Sequence, residues 1–245
     1  MSQLRLWAFC VVCLATVGCG KTDLAREIGP ASEPVLASLQ AMGGIEAWKD
    51  PADIRAQAVL TVYDEKGHFY TNQYSLNMDL DGRRMSVEAA LPGGKLTGVI
   101  RLDGGSTLDV TGQNMSPELR SRLVLALEST LYLAGGPGNF LYCPQTARTA
   151  RKDRIAGKAL VRVSVGGDNS RALAYYFDPV TSMLLHVTSG ADRAGGEGSI
   201  ATYTYRMLKR GKAFPQRILI TRIGEHVLLG DKPVMEVTFG DVRFE

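Results

Sequence analysis

The sequence predicts a mainly β fold with helices: a strongly curved antiparallel sheet, or incomplete β-barrel, of about eleven strands closed by one or two helices. Three observations predict it. From Ile54 onward apolar and polar residues alternate, which is the period of a strand with one buried face. Clusters of Gly, Pro, Asp and Asn cut that pattern at the spacing seen in sandwiches and barrels. One stretch near 116–134 instead carries apolar residues at helical spacing and interrupts the strands.

The first residues form an export signal. Arg5 gives a short positive region, and Leu6 to Val17 is an almost unbroken apolar run. That run is too short to cross a hydrocarbon core of roughly 30 Å as a helix. Ala15-Thr16-Val17-Gly18-Cys19 follows and resembles a lipobox, the site where bacterial lipoproteins are acylated on the thiol and cleaved before it. Thr16 departs from the Leu more usual three residues before the cysteine. The alternative is a plain secretory signal with an incidental cysteine. The resemblance implies residues 1–18 as signal peptide and Cys19 as the lipidation site. Acyl chains contribute roughly 0.8 kcal/mol per buried CH₂, so two or more give a lasting anchor.

The same residues also match a loose phosphate-binding loop, Ala15 to Thr22, with Ala in place of its first Gly. Such a loop needs a helix whose N-terminal N–H groups cradle phosphate. Here that helix would have to end by Gly29-Pro30, and the strand–helix alternation of a nucleotide-binding sheet is missing downstream. The match is therefore set aside.

Composition bounds the rest. The chain of 245 residues is 45% hydrophobic and 22% charged, with a formal net charge of +3, which suits a folded body. Its cations are scattered, so no nucleic-acid partner is expected. Of the four cysteines, Cys10 and Cys13 leave with the signal and Cys19 is capped. Cys143 then lacks an intramolecular partner and reads as a small buried apolar residue.

Residues 19–31 read as the lipidated cysteine and a polar tether, and 32–245 as one domain. Ser32 has the chemistry of an N-cap, with Pro34 in the first turn. Val35, Leu36, Leu39 and Met42 share a helical face, and Ile45 to Lys49 forms a further short turn. Strands follow at Ile54 to Tyr63, His68 to Met78, Arg84 to Ala90, Lys95 to Leu102 and Thr107 to Val110. Ser116-Pro117-Glu118 then starts the lid helix near 116–134, with a capping hydroxyl, a first-turn proline and an early carboxylate. Leu119, Leu123, Val124, Ala126, Leu127 and Leu131 make its apolar face, and Gly135-Gly136-Pro137-Gly138 ends it. The next residues, Asn139 to Thr146, are irregular.

The second run of strands takes in Val161 to Val165, Ala172 to Phe177 and Met183 to Ser189, with a proline-containing turn at Asp178-Pro179. Gly190 to Gly198 reads as a flexible loop. Tyr203, Tyr205 and Met207 share a face, Gln216 to Arg222 follows, and Met235, Val237 and Phe239 belong to the last strand. Gly240 shifts the apolar phase to Val242 and Phe244, the mark of a β-bulge.

These features resemble a family. The lipobox, the helix with Ala41-Met42-Gly43-Gly44-Ile45-Glu46-Ala47-Trp48, the hairpin Tyr175 to Leu185 and the ending Phe214 to Phe244 are similar to bacterial lipoproteins with the outer-membrane lipoprotein carrier and acceptor fold. The resemblance implies an incomplete barrel closed by helices, with acyl chains as the class of ligand. The carrier's own binding residues have no counterpart motif here, so no ligand-binding residue is assigned. With Gly20 after the cysteine, the family rule implies the outer membrane, facing the periplasm.

The function expected is therefore that of a membrane-anchored lipoprotein binding a lipid or other hydrophobic ligand inside a β-shell, in envelope lipid or lipoprotein handling. Small inward residues such as Ala56 and Ala58 leave room opposite the lid helix. The alternative is a non-catalytic structural or interaction lipoprotein with a filled core, working through loops such as Gly135 to Gly138 or Gly190 to Gly198. No catalytic residue, metal site or cofactor is expected. His68, His186 and His226 are not at metal-ligand spacing, no nucleophile elbow or zinc motif occurs, and Asp79, Asp81 and Asp178 sit in turns.

Overall fold

The computed structural model describes residues 24–49, 53–64, 66–112, 114–142, 147–165, 173–190, 198–208, 211–223 and 233–245. Cys19, Cys143, His226 and residues 191–197 of the Gly190 to Gly198 stretch lie outside them.

Three short helices come first: α1 (Leu24–Ile28), α2 (Ser32–Ala41) and α3 (Glu46–Lys49). Leu24 and Ile28, one helical turn apart, turn the same way, and Ile28 and Ala31 are buried. Helix thus occupies part of the stretch expected to be tether. Ser32 is the first residue of α2 and not its cap; Ala31 holds that position without a side-chain bond. Val35, Leu39 and Met42 are buried as their spacing requires.

Five strands follow: β1 (Ile54–Tyr63), β2 (Phe69–Asp79), β3 (Arg84–Leu91), β4 (Gly94–Arg101) and β5 (Thr107–Thr111). The long helix α4 spans Pro117–Gly135, and Ser116 caps it by accepting a bond from the Leu119 N–H at 3.2 Å. The glycine cluster ends α4 at Gly135, as expected, but the chain does not become irregular after it. A 3₁₀ turn at Gly136–Gly138 leads directly into α5 (Asn139–Tyr142), and Gly136 to Phe140 are all buried. Gly136 has φ 50°, open to glycine at little cost. A Cβ on Gly138 would stand 2.9 Å from the Trp48 ring and 3.0 Å from the Tyr142 ring. These glycines let three elements approach closely, so 135–138 is not an exposed loop.

Seven more strands complete the sheet: β6 (Ala147–Ile155), β7 (Lys158–Val165), β8 (Leu173–Phe177), β9 (Leu184–Ser189), β10 (Gly198–Met207), β11 (Ala213–Ile223) and β12 (Pro233–Phe244). The sequence count of about eleven missed β6. All pairings are antiparallel, in the order β5-β4-β3-β2-β1-β12-β11-β10-β9-β8-β7-β6. The sheet is open, because β5 and β6 are its two edges and do not pair. The first and last strands meet in its middle, and α4 carries the chain from one edge to the other. This is the incomplete barrel with a helix that the resemblance implies.

The expected bulge is present. The pairing of β1 with β12 shifts between Ala56 and Ala58, where Ala56 faces Val242 and Ala58 faces Phe239. A second shift lies at Thr204/Tyr205 between β10 and β11. Tyr203 and Tyr205 share a face as expected, their rings stacked 5.8 Å apart, while Met207 at the strand end is 64% exposed.

Candidate ligand-binding interior and its mouth

Helix α4 lies on the inner face of the sheet and touches β4 and β5 on one side and β1 and β11 on the other. Its apolar face is the expected one. Leu123, Ala126, Leu127 and Leu131 are buried, while Leu119 and Val124 near the start are partly buried. Beneath them Ile54, Ala56, Ala58, Leu60 and Val62 line β1. The space that small residues were expected to leave is occupied by the chain itself. Ala58 stands opposite Tyr74 on β2, and Tyr74 is 1% exposed. Large beside small is how close-packed interiors are filled.

The two ends of α4 are held differently. At its C-terminal end Leu131 to Gly135 are buried. The Tyr132 hydroxyl bonds the Tyr175 hydroxyl, Asn139 Nδ2 donates to the Tyr132 carbonyl at 2.8 Å, and Tyr203 donates to the Leu133 carbonyl at 3.2 Å. Burial drives the Tyr175 and Tyr203 hydroxyls far above the ordinary range for tyrosine, so they act as neutral hydrogen-bonding groups. Sequence inspection missed this network, because tyrosines in different strands and helices carry no spacing signal.

At its N-terminal end α4 is only half covered. Pro117, Glu118, Arg120 and Ser121 are exposed, and the ion pair from this end of the helix to the sheet, Arg120 to Asp109 on β5, spans 3.8 Å. Here the helix faces the β1–β2 turn across an open groove of ≈ 260 Å³, walled by Val62, Tyr63, Phe69, Tyr70, Leu119 and Arg122. Phe69 is 68% exposed, and its ring lies 6.2 Å from that of Tyr63. Arg122 donates to Glu118 Oε1 at 2.9 Å. On the outer lip His68 pairs with Asp64 at 2.9 Å, and this contact holds the Asp64 carboxyl below its usual range.

The other residues weighed in the sequence are dispersed. His186 lies on β9, its Nδ1 3.1 Å from Thr202 Oγ1, far along the sheet order from His68. Asp178 accepts from the Val180 and Thr181 N–H groups and pairs with Lys158 at 2.6 Å, the expected turn role. Asp79 accepts from the Gly82 N–H and from Arg84 in the same way. Among the described residues no three His, Cys, Asp or Glu side chains gather as a metal site, and no helix is long and apolar enough to cross a membrane.

No protein-family model matches the sequence, and no curated protein matches it. Solved structures do. One is a candidate outer membrane lipoprotein-sorting protein domain from Vibrio parahaemolyticus, 14% identical, covering 88% of this chain and 93% of its own, with a TM-score of 0.48. Another is a LolA superfamily protein from Nitrosomonas europaea, 7% identical, covering 87% and 93%, with a TM-score of 0.49. A third is a DUF1329 family protein from Desulfovibrio piger, 10% identical, covering 89% and 94%, with a TM-score of 0.44. At that level the likeness adds nothing to what the strand order and the helix already establish.

Proposed function

We propose that the chain is a non-catalytic envelope lipoprotein, anchored through lipid on Cys19, that holds an acyl chain or similar apolar ligand between α4 and the open sheet. The observation that carries this reading is the groove at the start of α4. The exposed Phe69 and the half-buried Tyr63, Tyr70 and Leu119 rim it, and Leu119 carries it onto the apolar face of the helix. Apolar clefts with a few polar groups are the usual form of small-ligand sites. Entry requires the N-terminal end of α4 to lift, which its exposure favours, while the buried tyrosine network keeps the C-terminal end in place. Weakly packed ends are where local opening costs least.

The location that goes with this reading is the outer membrane, facing the periplasm, with envelope lipid or lipoprotein handling as the setting. A Cys19→Ala chain, purified and extracted, should release lipid detectable by mass spectrometry. It should also bind a fluorescent fatty acid, and Leu119→Arg should weaken that binding at least about tenfold, since a buried charge opposes apolar occupancy. Recovery of no lipid, with no binding of the fatty acid, would sink the reading.

One observation favours a second reading. The inward residues of β1 are at most 8% exposed, so the interior is full without a guest. A protein-interaction lipoprotein with a filled core has this interior too. It differs by binding no lipid and by tolerating Leu119→Arg without functional loss.

A further inference from the structure

We infer that the β6 edge of the sheet is a docking surface for an anionic phospholipid leaflet, the one into which Cys19 is acylated. The geometry of this inference rests on that acylation. Two independent observations carry it.

The first is charge. β6 is an edge strand, and its Arg151, Lys152 and Arg154 are all exposed. None of the three joins a salt bridge among the described residues, whereas the anion between them, Asp153, lies 4.0 Å from Arg162. Cations on an edge also discourage pairing with another sheet. That purpose alone would treat both edges alike, and the other edge is different. β5 carries only Asp109, which faces Arg120 of α4.

The second is position. The junction of α1 and α2 runs beside β6. Pro30, Ala31 and Pro34 form one wall of a groove of ≈ 380 Å³, and Ala150, Arg151 and Lys152 form the other. Glu33 belongs to the helical wall, and Asp178, paired with Lys158, also lines the groove. Four residues separate Leu24 from Cys19 in the sequence, five steps of chain with a reach of at most roughly 18 Å. With α1 bridging Leu24 to that junction, Cys19 stays within roughly 30 Å of the groove beside β6, close enough for the acylated leaflet to meet these exposed cations. Basic side chains near an anionic leaflet each strengthen attachment roughly fivefold, and the attraction fades within a Debye length. A surface so placed would hold the tethered domain against the membrane on its β6 side and turn the β5 edge away.

The test uses the Cys19→Ala chain, which separates this surface from the lipid anchor. Cosedimentation is measured with vesicles of neutral phosphatidylcholine and with vesicles containing phosphatidylglycerol, at low and high salt. The expected result is binding to the anionic vesicles alone, weakened by salt. It should fall roughly 100-fold in the triple variant Arg151→Gln, Lys152→Gln, Arg154→Gln. A Lys66→Gln, Lys95→Gln control, with cations elsewhere on the surface, should bind as before. Unfolding of each variant is followed by circular dichroism, and single replacements substitute for the triple one if it does not fold. Equal binding to neutral vesicles, or binding unchanged by the β6 replacements, would overturn the inference. So would concentration-dependent self-association through β6 in place of vesicle binding. Failure of the acylation itself would show separately, as an unmodified Cys19 in the mass of the native membrane-extracted chain.

Discussion

On β1 and β3 the outer face of the sheet is exposed at Arg55, Gln57 and Val59, and at Arg84, Ser86, Glu88 and Ala90. On β8 and β10 the corresponding positions are buried: Ala174 at 1%, Tyr176 at 6% and Ile200 at 1%. They belong to a second apolar cluster that also includes Ile155, Leu160 and Ile223. Arg162 lies within it, its guanidinium 6.0 Å from the Tyr176 ring centre. One half of the sheet is thus a single-faced shell over α4, and the other is packed on both sides. The same antiparallel ladder serves two kinds of environment, so a substitution on the outer face should be judged by its strand.

Four measurements would break or sharpen that contrast. Ile200→Ala removes a fully buried side chain from the outer face of β10, and it should lower unfolding stability by about 3 kcal/mol in a urea titration. A loss under about 0.5 kcal/mol would mean that the second cluster is not a packed core. The next effect concerns His186, whose partial burial, with the charge of Lys158, lowers its pKa to about 4. Above pH 6.5 it is neutral in both states. Between pH 6.5 and about 4 the unfolded chain takes up a proton that the folded chain refuses, so stability should fall as pH drops through this window. The loss should reach roughly 2 kcal/mol and be flattened by His186→Gln.

Asp178→Ala should cost about 1.5 kcal/mol, through loss of the acceptor for Val180 and Thr181. Its pairing with Lys158 and those N–H groups lower the carboxyl to about 2. Its contribution should therefore be intact above pH 3.8 and disappear as pH falls toward 2. Smallest of all, Val99→Ser on the outer face of β4, where the side chain is 37% exposed, should stay within about 0.5 kcal/mol. A large loss there would erase the distinction between the two halves.

The same division explains what could be read in advance. β1 and β3 alternate strictly between buried and exposed, and period-2 inspection finds such strands directly. The Ser116 cap and the bulge after Phe239 were legible for a similar reason, since each leaves a local signature. β6 was not. Ala-Arg-Thr-Ala-Arg-Lys-Asp-Arg-Ile lacks an apolar row, because an edge strand with one neighbour needs little burial. Nor did the glycines at 135–138 reveal their part. A helix stop and a close approach to Trp48 use the same residue type, and only the partner distinguishes them. At the candidate site, the apolar face of α4 followed from its helical spacing. The filled interior did not, because whether Ala58 leaves a gap depends on Tyr74 standing opposite.

The meeting of β1 and β12 at the centre of the sheet has a consequence for folding order. Ile54 pairs with Phe244, so the chain's first strand waits for its last. A polypeptide delivered N-terminus first can zip β1 to β5 as a local meander, then β6 to β11 as another. Until residues 233–244 arrive, each meander ends in an unpaired central strand. High sequence separation makes such a final closure slow, and exposed strand borders invite misassociation meanwhile. A truncation before Pro233 should therefore yield a chain that aggregates, not a smaller soluble domain, and the twelve residues of β12 act as the keystone of the whole shell.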